Sequence, residues 1–497
     1  MAGAVVCAAL IAPPATAFAG DFVDTRLTFV FSDEDVLHGA GETIPSSPAA
    51  RFSANRNSTL FFDNYDTKFT GFETLSNLVL YKRDESHLKN LITEAALALN
   101  LLVAGPDSIR FQDASSYVRL TYRPAGWGQY EGLSFTGFPI SADRFRLGYS
   151  YRLSWAGNRI FIRAPGDVPN SGFKLQLTRG PVYVFVGAKA TLLGDDETGE
   201  RETNYGGLAG AGWDITQNLR WEAGGGLFQR GTNPYVEGDE VTAGGVSTQL
   251  SWHVGIPIGT SIDFRLYKND PEVYQRFFQP EIYPGGFSYI LSAEATYLTQ
   301  NLQDADEFGS TRRQEATAGD LQAKFKIDKT RLHFTASYRS LEYVLFNVPS
   351  LEPYRNLPED AEIDPEFFVA VGGDYFIESL RLTPGLVAGV QMPAAVTTGL
   401  ELGSNPPPTL QGRRTVVVRD EGFREILPPG EEARPIYSVK GSARMDLSDS
   451  MQAAGEVYYT YDQNRSTIVG NPGGNQNVRV YNDFDQLGFN LLLQARF

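Results

Sequence analysis

A chain of 497 residues with 59 acidic and 43 basic side chains carries a net charge of −16. That balance excludes a phosphate-binding surface and with it a nucleic-acid partner, and 42% apolar residues exclude a disordered chain. The single cysteine, Cys7, excludes a disulfide scaffold and a cysteine zinc site, the four histidines are scattered, and no metal or cofactor is expected.

Residues 1–19, MAGAVVCAALIAPPATAFA, carry no charge. An apolar run over 5–11 precedes the small-x-small pattern Ala17-Phe18-Ala19, which reads as a secretory signal cleaved after Ala19. Length alone suits about three soluble domains of roughly 150 residues, but the pattern that follows points to one domain over 20–497.

From residue 22 onward the dominant period is two, the period of a strand with one apolar and one polar face. Read forward, strands fall near 22–31, 58–66, 74–82, 91–103, 109–123, 130–138, 143–155, 172–179, 181–193, 203–215, 219–230, 240–256 and 261–268. Read back from the end, they fall near 483–497, 451–465, 434–447, 380–392, 367–378, 330–346, 314–327 and 287–300. In 144–155, Phe145, Leu147, Tyr149, Tyr151, Leu153 and Trp155 alternate with Arg144, Arg146 and Arg152. In 483–497, Leu487, Phe489, Leu491, Leu493, Ala495 and Phe497 share a face, with Leu492 the exception on the polar side.

Connections alternate in length. Arg179-Gly180-Pro181, Thr216-Gln217-Asn218, Asp328-Lys329-Thr330 and Ser448-Asp449-Ser450 are short, whereas 32–57, 156–171, 194–203, 347–366, 397–433 and 466–482 are long and polar. That asymmetry, with aromatic residues near strand ends, suits a barrel whose apolar face meets lipid. The signal, the alternation and the aromatic-ended last strand resemble the Gram-negative outer-membrane β-barrel class, porin-like, with no closer family. The resemblance implies an all-β, antiparallel up-and-down transmembrane barrel in the outer membrane with long acidic extracellular loops. It also implies that Leu493, Ala495 and Phe497 form the signal for the barrel-assembly machinery. Lipid and lipopolysaccharide are the surrounding partners, and the oligomeric state stays open. An even strand number is required; 18 is expected, with 16 and 20 as alternatives. The forward and backward series place 269–285 on opposite sides, so one assignment within 58–123 or 240–300 is wrong. The aromatic, proline-bounded segment 271–284 would be a surface loop or an insertion into the lumen.

Catalytic signatures fail. Gly132-Leu133-Ser134-Phe135-Thr136-Gly137 has the wrong spacing for a nucleophile elbow and lies in a strand. The glycine stretches 206–212 and 224–226 suit close packing of lumen-side groups rather than phosphate binding. His333 is expected in the lumen, His253 near a turn, and no enzyme activity follows.

On the parity assigned to the lumen, basic positions outnumber acidic ones. Arg144, Arg146, Arg152, Lys174, Lys189, Arg220, Arg331 and Arg339 are the expected pore-lining residues, with Arg144, Arg146, Arg152 and Lys174 forming a ladder. A basic lumen in a low-dielectric wall attracts anions. The leading expectation is passive transport of anionic solutes or polymers. The alternatives are a conduit for polysaccharide export and a non-conducting structural barrel in an envelope, adhesion or motility complex.

Overall fold

The computed structural model describes residues 22–33, 35–37, 51–53, 76–105, 108–113, 116–128, 131–143, 145–150, 152–157, 160, 170–194, 201–233, 236, 239–254, 286–307, 309–346, 355–399, 414–420, 423–470 and 477–497. Outside them lie the expected signal over 1–19, the expected strands 58–66 and 261–268, the segment 271–284, His38 and Arg144.

Eighteen antiparallel strands close into one barrel. In chain order they are β1 (Phe22–Asp33), β2 (Asn77–Glu85), β3 (Leu91–Gly105), β4 (Tyr117–Tyr122), β5 (Gly132–Phe138), β6 (Ser171–Arg179), β7 (Val182–Gly194), β8 (Arg201–Asp214) and β9 (Leu219–Thr232). They continue with β10 (Glu240–Val254), β11 (Phe287–Gln303), β12 (Thr311–Ile327), β13 (Thr330–Arg339), β14 (Glu366–Tyr375), β15 (Leu382–Met392), β16 (Ile436–Asp446), β17 (Met451–Asp462) and β18 (Asp485–Arg496). Each pairs with its sequence neighbours. The seam closes where Leu27 faces Ala495 and Phe29 faces Leu493. Thr25 and Phe497 exchange backbone hydrogen bonds at the last step.

Alternation decides which face meets which medium. Val182, Val184, Val186, Trp213, Trp221, Leu250 and Trp252 point outward and are exposed, while Lys174, Lys189, Glu222, Ser247, Gln249 and Glu294 point inward and are buried. An exposed apolar belt around a polar interior is the reverse of a soluble sandwich. Leu492, the exception in the last strand, faces inward and packs on Val30 and Ala454.

Three expectations need correction. Residues 143–155 are not a strand of the wall. They form part of a segment over 139–160 that enters the lumen, with Leu147 and Trp155 bridged to each other. Its alternating apolar residues face an apolar patch of the inner wall instead of lipid, a choice that period alone does not make. Residues 330–346 are β13 followed by a short helix, α1 (Leu341–Phe346). Residues 109–123 divide into Ser108–Asp113, a hairpin arm on β3, and β4. The segment 143–155 lies outside both ranges in which a wrong assignment was expected. In the closed sheet the connection from Val254 to Phe287 leaves and re-enters at the short-turn end, as the backward series places it, beside Leu219 and Ile327.

The long connections are also more ordered than loops. Glu362–Asp364, Ala394–Thr398, Arg414–Asp420 and Phe423–Ile426 form a four-stranded sheet, and Ser466–Gly470 pairs with Asn477–Tyr481. Leu341 and Val344 of α1 pack on Ala394, Val396, Val416 and Val418 of that sheet.

Glycines on the inner wall make room for the inserted segment. A Cβ on Gly187 would stand 2.6 Å from the Phe145 ring, and one on Gly224 would stand 2.7 Å from Leu147. Gly187→Val should therefore push Phe145 off the wall and cost about 1–3 kcal/mol through overpacking. The temperature at which the folded gel band converts to the unfolded one should fall. Gly207→Val, on the lipid face with nothing within 4 Å, should leave it unchanged.

At the short-turn end, Glu131 accepts N–H groups from Gly128 (2.9 Å) and Gly180 (2.7 Å) and pairs with Arg179 (3.0 Å). The two backbone donors, and then Arg179, hold its carboxyl below the ordinary range. Its stabilising effect is complete above the unfolded value of about 4.3 and is lost as pH falls through the lowered one. The protection of the Gly180 amide relative to its intrinsic exchange rate should fall in acid, and Glu131→Gln should remove that fall.

Candidate functional site

The segment 139–160 is anchored from several directions. From β7, the Lys189 ammonium donates to the carbonyls of Phe145 (2.7 Å), Ala142 (3.2 Å) and Ala156. From β11, the Glu294 carboxylate accepts the backbone N–H groups of Tyr149 (2.7 Å) and Ser150 (2.6 Å). From β10, Ser247 accepts the indole N–H of Trp155 (2.7 Å). Arg230 of β9 donates to the carbonyls of Ile160 and Phe346 (both 2.9 Å) and to Gln300, linking the segment to α1. Tyr343 of α1 donates to the Leu153 carbonyl (2.6 Å).

Between these anchors lies an apolar core inside the barrel. Phe145, Leu147, Leu153, Trp155 and Ile160 pack on Leu208, Phe228, Ala243, Leu298, Ala316 and Ala318 of the wall, with Tyr343 and Phe346 of α1. Trp155 meets Phe228 edge-on at 5.7 Å. Leu208 and Phe228 share the inward parity of Asn204, Glu222 and Arg230. Apolar residues on the lumen parity are the sequence signal for an inserted segment.

The tip of the segment reaches a buried charge cluster. Glu366, fully buried at the start of β14, accepts two hydrogen bonds from Arg339 (3.0 and 2.9 Å), one from Arg152 (2.9 Å) and one from Gln391 (2.8 Å). The Arg152 guanidinium also lies 3.7 Å from the Phe368 ring centre. Two guanidiniums on one carboxylate balance the desolvation of all three, and removing one partner from such a set typically costs about 3–5 kcal/mol.

The expected ladder is therefore not a ladder. Arg144 lies outside the described residues. Arg146 and Arg152 are on the inserted segment, and Arg152 is tied to Glu366. Lys174 is on β6 near the Phe185 ring (5.6 Å). Lys189 holds the segment, Arg220 pairs with Asp214 near a turn, Arg331 pairs with Asp374 (2.8 Å), and Arg339 pairs with Glu366. Arg152, Lys189, Arg220, Arg331 and Arg339 thus bind the protein's own acceptors. Glu366 ends the connection expected over 347–366 yet is buried, and Asp320 is buried on β12.

A second basic feature lies nearer the short-turn end. One register row across five strands runs Lys324, His333, Gly372, Val387, Lys440. It carries bases and no acid. In the next row Lys326 faces Arg331, and Arg331 faces Asp374. Lys440 reaches Glu456 at 3.0 Å. Gly372 gives His333 its place, since a Cβ there would stand 2.6 Å from its Nε2. At the seam, Leu493 and Phe497 are exposed on the lipid side, and Ala495 lies between them in sequence on the same parity.

No protein-family model matches the sequence, and no curated protein sequence matches it. Solved structures similar to it include OmpT of Vibrio cholerae, an outer membrane protein (10% identity, 96% of this chain and 97% of that one, TM-score 0.37). Others are the outer membrane channel DcaP of Acinetobacter baumannii (11%, 97% and 99%, 0.40) and Wzi of Escherichia coli (11%, 96% and 85%, 0.39). Wzi is described as a carbohydrate-binding β-barrel involved in group 1 capsule assembly. The closed sheet and its outward apolar belt settle the class. This protein is a transmembrane β-barrel.

Replacing Glu294 by Leu removes the acceptor for two buried N–H groups, at about 1–3 kcal/mol each. Amide exchange at Tyr149 and Ser150 should rise by at least an order of magnitude, while exchange along β12 and β13 stays unchanged.

Proposed function

We propose that the protein is an outer-membrane channel for anionic solutes, narrowed by the segment 139–160. The observation that supports this is the register that sets Lys324 beside His333 on the inner wall, with Lys326 in the next row. Inside a low-dielectric wall such a grouping of bases raises the local concentration of anions. The inserted segment sets the passage size, and its buried anchors keep it in place. The outer-membrane location follows from the barrel class, and the sheet over the long connections would then face the exterior.

A second reading has its own support. The apolar core around Trp155 and the Arg152–Glu366–Arg339 cluster fill part of the lumen, as a non-conducting structural barrel would require. Planar-bilayer recording separates the two. A channel gives discrete conductance steps that favour chloride over potassium, and Lys324→Glu with Lys326→Glu should reverse that preference. A barrel that inserts and stays silent, or whose preference is untouched by the two substitutions, overturns the anion channel.

A further inference from the structure

A concave feature interrupts the lipid face among the described residues. Gly137, Ala188 and Ala190 are outward positions there without a large side chain. Register brings them together. Gly137 faces Phe173, Phe173 faces Ala188, and Ala190 faces Tyr205. With Phe135, these residues line a cavity of about 450 Å³ that opens on the outer surface of the wall. It lies where β5 ends and β6 begins, at the long-connection rim.

The walls of this notch are aromatic and fixed. Phe135 and Phe173 stack at 6.1 Å, and Tyr205 closes the far side with its ring exposed to the surroundings. Phe138, which also borders the notch, is held from behind. Its ring stacks on Phe145 of the inserted segment at 5.9 Å. Between Ala188 and Ala190, Lys189 points the other way and clamps that same segment. The notch therefore cannot collapse without disturbing the lumen packing, and a preformed apolar groove loses little ordering entropy when filled.

We propose that this notch is a binding site for an acyl chain of lipid A. The occupant follows from position. The notch opens into the apolar belt, so the medium in contact with it is hydrocarbon. It sits at the rim of the long connections, which faces the exterior leaflet, a step that rests on the outer-membrane location proposed above. A chain lying between the Phe173 and Tyr205 rings gains dispersion contacts on several sides, whereas a chain on the flat wall gains them on one.

Native mass spectrometry of the detergent-solubilised barrel mixed with hexa-acylated lipid A tests the site. Wild type should retain a one-to-one adduct, and Ala190→Trp, which fills the notch, should reduce it at least five-fold. Val246→Trp, equally bulky but elsewhere on the lipid face, should leave it unchanged. Heat-modifiable migration on a gel confirms that each variant is folded. Equal adducts in wild type and Ala190→Trp overturn the proposal. So does equal retention of a sixteen-carbon phosphatidylethanolamine, or a dimer that Ala190→Trp dissociates, which would make a second copy the occupant. Membrane fractionation tests the location separately, so an outer-membrane barrel with no adduct overturns the notch alone.

Discussion

Closure of the sheet is the constraint on which everything else rests. In hydrocarbon each unpaired backbone group costs several kcal/mol, so a strand edge cannot be left open. The seam between β1 and β18 removes the last edge. Once it is closed, each residue's parity assigns it to lipid or to the lumen, and a slip of one residue would turn every side chain to the wrong medium.

An eighteen-stranded barrel encloses more space than wall side chains fill. This chain fills part of it with its own connection. The segment 139–160 could enter only because its apolar residues found apolar partners on the lumen face and its backbone groups found Lys189, Glu294 and Arg230. Charge inside this barrel thus has two duties. Lys189, Arg152, Arg230 and Arg339 hold the segment, while Lys324, Lys326 and Lys440 line the wall.

The two duties look identical in the sequence. Arg152 and Arg331 both sit in alternating stretches, yet one lies on the inserted segment and the other stands on β13. Glu366 is the sharper case. It follows a run of acidic loop residues and resembles them, but it is fully buried, because β14 begins there and turns it inward. His333 was placed correctly, since it lies mid-strand with unbroken alternation on both sides.

The sequence by itself determined the strand period, the lipid-facing and lumen-facing sets over most of the wall and the alternation of short with long connections. These depend on local alternation and on composition. Only the tertiary structure decided that 143–155 leaves the wall, that the apolar face of that stretch meets protein instead of lipid, and which cations are bound to internal acceptors. A period of two says that two faces differ, but not what each face touches. That depends on contacts between residues as distant as Ser150 and Glu294 or Arg152 and Glu366.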